Sequence, residues 1–107
     1  MNHGLTEETV AEIHRVLAGR REVEKALLYG SRAKGNYRPG SDIDLVLVGP
    51  ELDQRIIGQI ADELEDGWLP YRFDLSILAQ IHHPALLDHI HRVGVVFYEK
   101  QPAEAAR

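Results

Sequence analysis

Apolar residues along this chain recur at two periods, and the alternation between them outlines the elements. Val10, Ile13 and Leu17 fall at helical spacing, Thr6 stands ahead of Glu7 and Glu8, and Gly19 follows. This predicts a helix over 6–19 with Thr6 as N-cap, two acids near the positive dipole end and glycine as terminator. Residues 23–29 (VEKALLY) read as a strand broken by Gly30. Residues 30–40 carry three glycines and a proline, which predicts a loop with a helical turn beginning at Ser31. The run DIDLVLV (42–48) predicts a strand that ends at Gly49-Pro50. Leu52, Ile56, Ile60 and Leu64 repeat every fourth residue, which predicts a helix over 52–66 stopped by Gly67. In 71–78 the pattern changes to period two: Phe73, Leu75 and Ile77 point one way, and Arg72, Asp74 and Ser76 the other. Pro84 opens a helix over 84–93, and VVFY (95–98) makes a last strand. The order predicts an α+β (mixed α/β) domain: a small mixed β-sheet with helices packed on one face.

Length and charge narrow the class. A chain of 107 residues fits one domain, 1–98, with 99–107 a frayed polar tail. There is no cysteine, which excludes disulfides, thiolate metal sites and a Cys nucleophile. The first ten residues lack the basic start and apolar run of a signal peptide, and no apolar run reaches membrane-span length. A cytoplasmic location without membrane attachment is the expectation. The net charge of −5 argues against strong nucleic-acid binding. Arg32, Lys34 and Arg38 nevertheless share one loop, while Glu51, Asp53, Asp62, Glu63, Glu65 and Asp66 crowd a later segment. A small basic patch on an acidic protein suits a compact anion such as a triphosphate.

Candidate chemistry rests on Asp42, Asp44 and Asp74. Side chains at i and i+2 of a strand share a face, so Asp42 and Asp44 project side by side, and Asp74 lies on the polar face of another strand. If the strands are neighbours, three carboxylates converge and call for a hard divalent cation, of which Mg²⁺ is the usual one beside phosphates. Two such ions would be bridged by Asp42 and Asp44. Asp74 would ligate the ion that holds an acceptor hydroxyl and could take its proton. Alone, Asp-x-Asp is a short pattern that recurs by chance.

The second element is Gly30-Ser31, directly after a strand. Glycine lets a phosphate approach the backbone, and a helical turn at Ser31 would offer N–H groups beside the hydroxyl. It is no P-loop, because Asn36 and Tyr37 stand where Lys and Ser/Thr are needed after Gly35, and no GxGxxG fingerprint occurs.

Taken together, GSRAKGNYRPGSDIDLVLV resembles the signature of the DNA-polymerase-β-like nucleotidyltransferases: Gly-Ser, a spacer, then Asp-x-Asp. Here the spacer is ten residues (32–41). That spacing is similar to the minimal nucleotidyltransferase (MNT) family. Asp74 in RFDLSIL matches the family's third carboxylate, and 84–98 its closing helix and strand. The resemblance implies the nucleotidyltransferase fold and an enzyme that moves AMP from ATP, with Mg²⁺, to an acceptor hydroxyl. In it Gly30 and Ser31 hold the β- and γ-phosphates, Asp42 and Asp44 bind the metals, and Asp74 completes the site. Arg32 and Lys34 join the nucleotide-binding set as cations for the triphosphate. The resemblance also implies a partner, a HEPN-domain ribonuclease toxin AMPylated on tyrosine, which makes this chain the antitoxin of a toxin–antitoxin system.

Three other readings compete: a non-catalytic antitoxin that neutralises its partner by contact, an antibiotic-type small-molecule nucleotidyltransferase, and a nucleic-acid-tailing enzyme, against which the acidic charge weighs. His82, His83, His89 and His91 read as helix-end histidines, and His83 and His89 lack the i, i+4 spacing of a zinc pair. Tyr29 and Trp68 read as core residues.

Overall fold

In the computed structural model, residues 3–100 are described. The elements are α1 (Glu7–Ala18), β1 (Lys25–Tyr29), α2 (Gly30–Lys34), β2 (Ile43–Val48), α3 (Gln54–Glu65), β3 (Phe73–Ile77), a single 3₁₀ turn (Leu78–Gln80), α4 (Pro84–Val93) and β4 (Val95–Glu99). The expected helices and strands are present; α1, α3 and the first three strands are shortened by a residue or two at their ends, α4 keeps its expected bounds, and β4 runs one residue further, to Glu99. The 3₁₀ turn is an addition that period-two patterning could not register. The proposed tail lies mostly outside the described residues.

Helix starts follow side-chain chemistry. The Thr6 hydroxyl accepts from the Thr9 N–H at 3.1 Å, and the Asp53 carboxylate accepts from the Ile56 N–H at 2.9 Å. Each satisfies a donor that the first turn leaves without an intrahelical partner. His83 caps α4 in the same way, its Nδ1 accepting from the Leu86 N–H. α2 starts one residue earlier than expected, at Gly30, and ends at Gly35 with φ 87°.

The strands form one sheet in the order β3-β2-β1-β4, with β1 antiparallel to β2 and β4, and β2 parallel to β3. Its two faces separate by residue parity. Ala26, Leu28, Ile43, Leu45, Leu47 and Ile77 face a core completed by Ile13, Val16 and Leu17 of α1 and Ile56, Ile57, Ile60 and Leu64 of α3. Burial at about 25 cal/mol per Å² makes this layer the main source of stability. The opposite face carries Tyr29 and Val46, which pack with Ile90 of α4 in a smaller cluster. α1 and α3 thus cover one face, as the pattern predicts, and α4 adds a partial cover on the other. Trp68 corrects the expectation of a core anchor: it is 61% exposed, while Leu69 beside it is buried. The chain turning out of α3 can direct only one of two neighbouring side chains inward, and it buries the leucine.

Candidate active site

The site forms where β1 ends and β2 and β3 begin. Antiparallel pairing sets Tyr29 opposite Asp44, and parallel pairing sets Asp44 opposite Asp74. Cross-strand partners share a face, and neighbouring strands lie about 4.8 Å apart. Tyr29, Asp44 and Asp74 therefore make one rung on the face away from α1 and α3. Asp42, one residue ahead of β2, is exposed, as is Asp74, and Asp44 is half-buried between them. The Ile43 N–H donates to the Arg72 carbonyl at 2.9 Å, which ties the two strand starts together.

The Gly-Ser pair meets this rung directly. Gly30 has φ +76°, and a Cβ there would run into the Asp44 carboxylate. Glycine is needed twice over, for the left-handed backbone and for the close approach of the acid. Ser31 follows in the first turn of α2, half-buried. The structure thus brings together Gly30, Ser31, Asp42, Asp44 and Asp74.

Electrostatics records the crowding. Burial, then the charges of Asp74 and Asp42, push the Asp44 carboxyl up to about 6. Burial likewise raises the Tyr29 phenol, with the nearby Asp74 and Asp44 acting in the same direction and a hydrogen bond to Ser76 opposing them. A half-buried carboxylate flanked by two more is costly unless a cation compensates. Among the described residues no three His, Cys, Asp or Glu side chains close on one point. The donor set is nonetheless all carboxylate oxygen, which fits a hard divalent cation.

The two basic candidates part company. Arg32 does not extend as a free cation for a triphosphate: it is 1% exposed. Its guanidinium donates to the carbonyls of His3 (2.9 Å), Pro39 (3.4 Å) and Ser41 (3.0 and 3.2 Å). It also lies 5.2 Å from the Tyr37 ring centre and 5.0 Å from that of Tyr71. The short α2 turns position 32 inward, and a buried cation must be hydrogen-bonded. Lys34, on the last turn of α2, is exposed and remains available to an anion.

Sequence reasoning missed His89. It is half-buried on α4, its ring meets that of Tyr29 edge-on at 6.1 Å, and its Nε2 accepts the Gly30 N–H at 3.2 Å. That places the proton of a neutral His89 on Nδ1. Its helix and Gly30 are far apart along the chain, and no local pattern marks the contact.

Asp44 on β2 thus stands between an antiparallel and a parallel neighbour, with Asp74 beside it on β3 and the Gly30-Ser31 turn against it. A family model described as polymerase beta, nucleotidyltransferase, matches residues 11–103. The chain belongs to this family, and it is a nucleotidyltransferase. No curated protein matches it. Among solved structures, it is similar to a toxin–antitoxin complex with AMP-PNP at TM-score 0.68 and 21% identity, over 95% of this chain and 80% of the other. A tri-AMPylated Shewanella oneidensis HEPN toxin in complex with its MNT antitoxin gives TM-score 0.67 at 18% identity, over 95% and 79%. A MntA–HepT toxin–antitoxin structure gives 0.65 at 18%, over 94% and 79%. At these identities the likeness shows the shared fold, the one expected from the sequence.

Proposed function

We propose that this protein is an antitoxin that transfers AMP from ATP, with Mg²⁺, to a tyrosine hydroxyl of a HEPN-domain toxin. The rung of Asp44 and Asp74, closed against Gly30, carries this reading. It supplies acids and a close backbone approach on one side of the sheet, where a triphosphate and a hydroxyl can meet. The AMP-PNP and the AMPylated HEPN toxin named for the similar structures favour ATP as donor and a HEPN protein as acceptor. ATP is a cytoplasmic metabolite, and a cytoplasmic site of action goes with this reading. Among the described residues no helix is long and apolar enough to cross a membrane.

Asp42, Asp44 and Asp74 would hold the metal. Two Mg²⁺ ions there would activate the attacking oxygen and neutralise the leaving pyrophosphate. Gly30 and Ser31 cradle the β- and γ-phosphates, and Lys34 adds charge at the rim. Asp74, exposed beside Asp44, faces the acceptor and takes the proton of its hydroxyl. The acceptor oxygen bonds to the α-phosphorus as the bond from that phosphorus to the bridging oxygen breaks, and pyrophosphate departs. Positioning and charge neutralisation account for the acceleration.

The test is incubation with each nucleoside triphosphate, Mg²⁺ and a HEPN-domain protein from the same source, followed by intact-mass and peptide analysis. AMP adducts on a partner tyrosine are expected with ATP, and none with Asp44→Asn. Undiminished transfer by that variant would refute the assignment.

A further inference from the structure

We infer that Arg32 is a positioning residue, which sets the place of Asp42 and Asp44 relative to the Gly30-Ser31 turn without touching the nucleotide. The inference rests on the nucleotidyl-transfer reading of the site.

Three segments feed the site, and Arg32 grips all three. It belongs to α2, two residues after Gly30. Its Nε and one terminal nitrogen both donate to the Ser41 carbonyl, at 3.2 and 3.0 Å. That carbonyl belongs to the peptide that leads directly into Asp42. The Tyr71 ring, 5.0 Å away, precedes β3 by two residues and Asp74 by three. The remaining donors reach Pro39 and His3, and the Tyr37 ring lies 5.2 Å from the guanidinium.

The chemistry is specific to arginine. Its planar fork can serve several carbonyls at once and present its two faces to aromatic rings. A lysine offers a single ammonium with no plane, so it could keep the charge but could not bridge Ser41, Pro39 and His3 together. The guanidinium stays charged, so its burial is tolerable only while those carbonyls hold still around it. The loop between α2 and β2 has three prolyl or glycyl positions (35, 39, 40) and no strand pairing of its own. A turn in which the Ser41 N–H donates to the Arg38 carbonyl and the Arg38 N–H to the Ser41 hydroxyl orders the loop locally, and Arg32 ties that turn to α2.

The test compares Arg32→Lys, Tyr71→Leu and Tyr71→Phe with the unaltered protein, beginning without metal. Amide hydrogen exchange should accelerate in Arg32→Lys across 38–43, including the Ile43 N–H bonded to Arg72, while α1 and α3 keep their protection. Tyr71→Leu should move the same amides in the same direction, and Tyr71→Phe, which keeps the ring, should not. Mn²⁺ titrated alone and followed by electron paramagnetic resonance should bind about tenfold more weakly to Arg32→Lys. Inorganic tripolyphosphate, titrated without metal, should bind it as it binds the unaltered protein.

Three results would each overturn the inference: weakened tripolyphosphate binding with normal Mn²⁺ binding, accelerated exchange spread over the whole molecule, or unchanged exchange at 38–43 in both Arg32→Lys and Tyr71→Leu. The exchange experiment needs no catalysis. It therefore judges Arg32 even if no triphosphate proves to be a substrate.

Discussion

Asp44 carries opposed demands. It sits half-buried between two other acids, which favours its neutral form, yet metal binding requires its anion. Its carboxyl is raised from the ordinary 3.8 to about 6, so in the metal-free folded protein it holds a proton that the unfolded chain has already released. Stability from this group therefore falls as pH rises through that window, and the penalty is complete above it. Asp44→Asn removes the penalty. Thermal unfolding of the metal-free variant should occur above that of the unaltered protein at about pH 7.5, and the gap should close below about pH 4. The same variant, and Asp42→Asn, should lose AMP transfer while keeping the fold, read by product mass and circular dichroism. Gly30→Ala attacks the neighbouring constraint. A methyl would strike the Asp44 carboxylate at a φ of +76°. The left-handed backbone alone costs roughly 1–2 kcal/mol, and denaturant unfolding should show at least that loss together with lost transfer.

At the scale of elements, each strand contributes both stability and chemistry by parity. In β2, Ile43, Leu45 and Leu47 are fully buried against the helices, and Asp44 between the first two faces the other way. A strand anchored on one face can hold a charged side chain still on the other. Leu45→Ala should therefore cost about 2–5 kcal/mol in denaturant titration, and lower transfer as the acid rung loosens. α1 makes a contrasting case, because it packs on the sheet face opposite the acid rung. Thr6→Ala removes the acceptor of the Thr9 N–H and should lower stability by about 1 kcal/mol, with transfer unchanged at a temperature where both proteins are folded.

Across the whole molecule, the site depends on which strands become neighbours. β2 occupies an interior position in the order β3-β2-β1-β4, so Asp44 has Tyr29 on one side and Asp74 on the other. Period-two alternation in 42–48 and 71–78 gave the faces of these strands, and the glycine at 19 gave a helix end. Asp42, Asp44 and Asp74 were legible because an acid on the polar parity of an apolar strand stands out, and Gly30-Ser31 because of its position between two strands. Arg32 was legible as a cation but not as a buried one. His3, Tyr37 and Tyr71, which enclose it with Pro39 and Ser41, come from segments that no local period connects. His89 was unreadable for the same reason: its contact with Gly30 exists only because α4 returns over the end of β1. The chain's own pattern of apolar and polar positions determined the elements, their faces and the acids, since these depend on backbone geometry over a few residues. The tertiary structure alone decided the pairing of Asp44 with Asp74, the inward turn of Arg32 and the place of His89. Those contacts arise from sheet order and packing between distant segments, and neither is encoded in the spacing of neighbouring side chains.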